Sequence, residues 1–210
     1  DSPVELFSAI RRRASEEGEG RGISRVLATY DWAYSSVSAN PDDPDGGWNV
    51  ELHRDADGQW LMGLAEGDGQ GFVPGGDESD PDRFCHPWNY ILDNRYKTRR
   101  AEKTAWAERS ETIDEVGPTF TIQGFDLNYA GLIIGSSVRY VDGKVVFDAG
   151  SSKNSKATNK RDGTKDFSRQ NLSNELNVLL KRGVHGLYLF AVDPGLQEAL
   201  KRAASGRKPL

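Results

Sequence analysis

The apolar positions of this chain follow two periods, and one stretch without either period sets the frame for the rest. From Tyr129 to Gly135 the sequence runs Y-A-G-L-I-I-G. It is a short apolar segment bounded by glycine, without the in-out alternation of a half-solvated strand. That pattern predicts a central strand buried on both faces of a parallel sheet. Arg25 to Trp32 (R-V-L-A-T-Y-D-W) and Gly186 to Val192 read as further internal strands. Helical spacing places Leu6, Phe7, Ile10 and Ala14 on one face. That helix opens with Ser2 as cap, Pro3 in the first turn and Glu5 at the capping-box position. A second helix, from Gln170, carries Leu172, Leu176, Leu179 and Leu180 and is expected to end at a Gly183 cap. Pro194 begins a last short helix. Strands interleaved with helices predict an α/β fold, three-layered, with a mainly parallel central sheet and helices on both faces.

Two hairpins interrupt this alternation. Asn49 to Leu52 and Trp60 to Leu64 flank Asp57-Gly58, and Val138 to Tyr140 and Lys144 to Phe147 flank Asp142-Gly143. Acidic, glycine-rich connections lie on either side of the first, so residues 35–83 read as an acidic loop and hairpin excursion from the main sheet. Ala101 to Ser110 is weakly helical, and Ser151 to Arg169 is a polar, basic loop.

Composition bounds the chemistry. The 210 residues suffice for one sizeable core, and no apolar run approaches the roughly 18 residues that span a bilayer. The chain starts at Asp1, carries one Met and shows no signal peptide, so a piece of a longer protein is expected. A single Cys85 excludes an internal disulfide. Residues 1–90 hold 18 Asp/Glu against 7 Lys/Arg, a balance of -11, whereas residues 91–210 hold 14 against 20, a balance of +6. A basic second part suits phosphate-bearing partners. Lys97, Arg99 and Arg100 form its first cluster, and the lysines of 151–169 a second. No metal site is expected: Asp42, Asp43 and Asp45 lack EF-hand spacing, and Cys85-His86 has no second pair nearby. Adjacent residues of an extended segment point apart, so Cys85 and His86 do not read as a catalytic pair either.

The most specific signal is V-G-P-T-F-T-I-Q-G-F-D-L-N-Y-A-G-L-I-I-G, from Val116 to Gly135. It resembles motif V of superfamily 1 helicases, in the version of the bacterial Schlafen group 3-like DNA/RNA helicase domain. Thr121, Gln123, Gly124, Tyr129, Gly131, Ile133, Ile134 and Gly135 match that pattern, while Phe120, Asp126, Leu127 and Asn128 replace its His, Glu, Phe and Asp. The segments R-V-L-A-T-Y-D-W, Pro87-Trp88-Asn89 and V-R-Y-V-D-G-K-V-V-F-D resemble the same family, with Asp31 in place of a Cys. Asn177 to Gly183 is similar to motif VI, and Arg182 stands at the arginine-finger position.

The resemblance implies the second RecA-like core domain of a helicase, spanning residues 1–210. On this reading Gln123, Gly124 and Asp126 contact ATP, Arg182 acts on its γ-phosphate, and Thr121, Lys97, Arg99 and Arg100 meet DNA or RNA in single-stranded form. No G-x-x-x-x-G-K-[ST] phosphate loop occurs. ATP and Mg2+ would therefore be held chiefly by an N-terminal RecA-like domain of the same parent chain, and this chain alone is expected neither to bind them tightly nor to hydrolyse ATP. Two alternatives stay open: a catalytically inactive helicase-like module binding nucleic acid or protein, and a free-standing hydrolase or nuclease.

Overall fold

The computed structural model describes residues 2–17, 23–32, 49–63, 80–88, 105–159 and 166–206. In chain order the elements are α1 (Pro3–Glu16), β1 (Arg25–Ala28), β2 (Asn49–Arg54), β3 (Trp60–Met62), β4 (Arg83–Pro87), β5 (Val116–Gly117), β6 (Leu127–Ile134), β7 (Val138–Val141), β8 (Lys144–Phe147), α2 (Ser155–Thr158), α3 (Ser168–Leu180), β9 (Gly183–Ala191) and α4 (Pro194–Ala204). Short 3-10 turns cover Trp106–Glu108, Ser110–Asp114 and Thr119–Ile122.

The expected α/β architecture is present. Strands β5, β1, β6 and β9 form an all-parallel sheet in that order. The apolar run is its inner strand β6, with Val26 opposite Gly131 on one side and Tyr188 opposite Gly131 on the other. Helix α1 covers one face. Its Leu6 and Ile10 lie so close to Gly131 that a Cβ there would collide with both, so glycine sets the approach of helix to strand. The cap is built as expected, the Ser2 hydroxyl accepting the Val4 N–H at 3.1 Å. On the other face Leu176 and Leu179 of α3 and Leu196 of α4 pack with Leu27, Ala130, Leu132 and Ile134. Three layers and two core clusters result.

The hairpin in the acidic segment is in place, but it does not stand clear of the body. β2 pairs with β3 and also with β4, giving a three-stranded antiparallel sheet. Val50, Leu52, Trp60 and Phe84 from its inner face join Leu6, Phe7, Ile10 and Phe190 in one core cluster. The rest of the acidic connections, and Lys97, Arg99 and Arg100, lie outside the described residues. The second hairpin, β7–β8, turns at Asp142 and Gly143, both with positive φ (50° and 76°), as a type I′ turn requires. Among the described residues no helix is long and apolar enough to cross a membrane.

The sheet order reverses direction between β1 and β6, the place where open α/β sheets commonly leave a ligand crevice beyond the strand ends. Here Asp31 fills it. Its carboxylate is 2% exposed; Oδ2 accepts from Thr29 Oγ1 (3.1 Å) and the Ser137 N–H (2.9 Å), and Oδ1 has no partner. A Cβ at Gly135 would strike this carboxylate. Burial without full pairing pushes the Asp31 pKa from 3.8 up to about 6.

Asp31 therefore holds its proton more tightly folded than unfolded. Its contribution is most favourable below the unfolded value and is lost as pH rises through about 6. In urea titrations, the stability of the wild type relative to Asp31→Asn should fall by up to about 3 kcal/mol between about pH 4 and pH 7. A difference that does not change with pH would contradict the buried, half-paired carboxylate.

Candidate functional site

The loop joining β5 to β6 crosses the sheet as two turns. The first is the 3-10 turn Thr119–Ile122, pinned by fully buried Ile122 and by Thr121, whose hydroxyl donates to the Pro118 carbonyl at 2.7 Å. The second depends on Gly124, whose φ of 84° is strained for any side chain. Beyond it Phe125 and Asp126 lead into β6.

Arg182 meets this second turn. Its Nε donates to the Val178 carbonyl at 3.1 Å and its Nη1 to the Phe125 carbonyl at 3.0 Å. Nη1 also lies 3.6 Å from Asp126 Oδ1. The Arg182 backbone carbonyl accepts the Leu127 N–H at 2.7 Å. The side chain of Arg182 is 20% exposed and that of Asp126 70%. An ion pair at that exposure contributes little, so the two carbonyl bonds orient the guanidinium. Nη2 carries no hydrogen bond among the described residues.

Gly183 does not cap α3, as the spacing had suggested. Lys181 takes that position with bridge-region angles (φ -101°, ψ 9°), and Gly183 opens β9. A Cβ on Gly183 would strike the Gly186 carbonyl, and the β6–β9 register shifts between Leu127 and Tyr129 at this level. The glycine is needed for close backbone contact in the sheet rather than for a left-handed turn.

The first turn borders an open cavity of about 690 Å3, lined by Tyr30, Thr119, Phe120, Gln123, the Lys153–Ala157 segment and α3. One buried carboxylate holds its walls together. Glu175 Oε1 accepts from Thr119 Oγ1 at 2.9 Å and from the Tyr30 N–H at 3.3 Å, and Oε2 from Asn154 Nδ2 at 3.2 Å. Three separate chain segments thus converge on a residue of α3. Near this anion, and largely through its own burial, Tyr30 has a raised pKa.

Of the residues expected at a site, Gln123 lines the cavity, while Gly124, Asp126 and Arg182 gather at the adjoining turn. Thr121 turns its hydroxyl inward to Pro118. Sequence reasoning missed Glu175 and Asn154. The available signal was position: Glu175 lies three residues after Leu172 and four before Leu179, at the edge of the buried stripe.

Cys85 and His86 point to opposite sides of β4. Cys85 Sγ lies 3.9 Å from Glu51 Oε1, and burial pushes its thiol up to about 12. His86 stacks on Phe7 at 3.7 Å between ring centroids, and burial lowers its pKa to about 4. A neutral imidazole and a protonated thiol facing apart make no nucleophile–base pair. Among the described residues no three His, Cys, Asp or Glu side chains come together as a metal site would require.

The described residues thus form a parallel α/β domain in which an arginine is fixed beside a glycine turn. Over residues 1–193 the chain matches the family described as Schlafen group 3, DNA/RNA helicase domain, and it belongs to that family. It is also similar to the uncharacterized protein YPL245W of Saccharomyces cerevisiae, 45% identical over 130 residues, which are 58% of this chain and 26% of the yeast protein. The chain thus spans about a quarter of that relative's length. No solved structure matches it.

Replacing Glu175 by Ala strands three donors. It should cost about 1–3 kcal/mol in denaturant titration and should speed hydrogen exchange at the Tyr30 amide. Unchanged exchange at Tyr30 would show that the carboxylate does not tie these segments together.

Proposed function

We propose that this chain is the second core domain of an ATP-dependent DNA or RNA helicase or translocase, working against nucleotide held by a first domain of the same parent protein. The observation that carries the reading is the pairing of Arg182 with the Gly124–Asp126 turn. Its guanidinium is anchored through Nε and Nη1, and Nη2 carries no hydrogen bond among the described residues. Membership of a DNA/RNA helicase domain family supports the same reading.

The residues fit the second half of an ATP site and not the first. Arg182 supplies a cation whose orientation is fixed in advance, so little side-chain freedom is lost when it meets a phosphate oxygen. Gly124 leaves the backbone open to close approach, with nothing within 4 Å of where a Cβ would stand. Asp126, exposed and only weakly paired, is free to accept a hydroxyl. Magnesium-bound ATP would supply the phosphoryl transfer. Gln123 sits on the cavity wall one residue before Gly124, so closure around Arg182 pulls on the cavity through a single peptide unit. This short link is a mechanical basis for coupling nucleotide state to a bound strand.

The second reading, a binding module without turnover, has one observation in its favour. Arg182 already holds its own helix end and the Phe125 carbonyl, a sufficient structural role by itself.

ATP turnover by the full-length protein, with and without single-stranded nucleic acid, separates the two. Arg182→Ala should lower stimulated turnover by about 10³-fold or more, with ADP affinity retained, and Arg182→Lys should recover only part because an ammonium lacks the fork geometry. Turnover indifferent to Arg182 would overturn its role as a finger. No turnover in folded wild-type protein, together with salt-dependent strand binding, would favour the module.

A further inference from the structure

Resting on the helicase reading, we propose that the cavity against α3 and a smaller one adjoining it receive two consecutive nucleotides of a single strand, one base against Phe120 and the next against Phe167. The second cavity, about 240 Å3, shares Lys156, Asn171 and Asn174 with the first. The two are therefore contiguous, and the shared wall carries one cation and two carboxamides.

Each cavity presents one surface phenyl ring. Phe120 is 41% exposed and Phe167 44%, although both are large apolar side chains beside a well-filled core. Phe120 is held by Tyr30, with ring centroids 5.5 Å apart and planes at 37°, so its ring is restrained on one side while remaining exposed to the cavity it lines. A base has a π-face whatever its identity, and stacking on an aromatic contributes about 1–3 kcal/mol per base.

The remaining lining suits base edges and a phosphate between them. Gln123, Asn174 and Gln170 are exposed carboxamides, each able to donate and accept. Asn171, which lines both cavities, donates Nδ2 to the Ala157 carbonyl at 2.9 Å. Lys156 stands on the shared wall and Lys153 at the rim of the larger cavity. Among the described lining residues the one carboxylate, Glu175, is buried and accepts from three donors, which reduces its repulsion of a phosphate. A protein partner would be expected to meet a continuous apolar patch; here the two rings are separated by lysine and amide groups.

The test uses the full-length protein without ATP and a fluorescein-labelled 12-mer of oligothymidylate, with oligouridylate in parallel. Anisotropy titrations of Phe120→Ala and Phe167→Ala should each show affinity lowered by about 5-fold or more, and Lys156→Ala should flatten the dependence on salt by about one phosphate contact. With 4-thiothymidine in the 12-mer, photo-crosslinks should map to Phe120, Phe167 or their immediate neighbours. Tight binding that is unchanged in all three variants, with crosslinks elsewhere, would overturn these cavities while leaving the helicase reading intact. Thymidine monophosphate competing as well per molecule as the 12-mer would replace the strand with a free nucleotide. No binding of either oligomer would overturn both readings.

Discussion

Strand β6 has neither a free edge nor a free face, and the rest of the structure follows from meeting that condition. Its backbone groups are paired on one side to β1 and on the other to β9. Its side chains alternate into two separate cores, one under α1 and one under α3 and α4. Glycine at 131 admits α1 and glycine at 135 admits the Asp31 carboxylate. A strand enclosed in this way leaves only its two ends for function. At the outgoing end Asp31 fills the crevice. At the incoming end the Gly124 turn, Arg182 and the start of β9 converge.

That convergence explains how one arginine could serve both the fold and a reaction. Nε closes the last turn of α3 and Nη1 holds the Phe125 carbonyl, so the guanidinium plane is set by the same contacts that join α3 to the loop before β6. Fixing a charge before it is needed avoids reorganisation when the partner charge develops. The loop also connects the two candidate sites. Its first turn lines the cavity through Phe120 and Gln123, and its second presents Gly124 and Asp126 to Arg182. Glu175 ties the first turn to the segments at Tyr30 and Asn154, so the cavity wall and the arginine belong to one framework built on α3.

Much of this was legible in the sequence wherever local chemistry and tertiary role agree. Leucine, isoleucine and glycine from Tyr129 to Gly135, a short run closed by glycine, read as a doubly buried strand. Ser2 and Pro3 start α1 by backbone chemistry alone, and Asp142-Gly143 fixes the β7–β8 turn. Legibility failed where the deciding partner is distant in sequence. The burial of β2 to β4 depends on Phe7 and Ile10 of α1, and acidic flanking segments conceal it. Glu175 reads as a solvated helix position because the three donors that neutralise its burial come from residues 30, 119 and 154. Gly183 carries the composition of a helix cap, yet the carbonyl of Gly186 determines its role. The juxtaposition of Arg182 with Asp126 was implied only through resemblance, since the two are far apart along the chain.

The central claim is that Arg182 is positioned for charge that develops during phosphoryl transfer. Its most direct test compares the affinity of the full-length protein for ADP with its affinity for ADP plus aluminium fluoride and magnesium, in wild type and Arg182→Ala. The account predicts that ADP affinity is little changed while the gain from the fluoroaluminate, a mimic of the transferring phosphoryl group, is lost by about 10²-fold or more. Equal fluoroaluminate affinity in the two proteins would contradict it and leave Arg182 as a structural link between α3 and the loop.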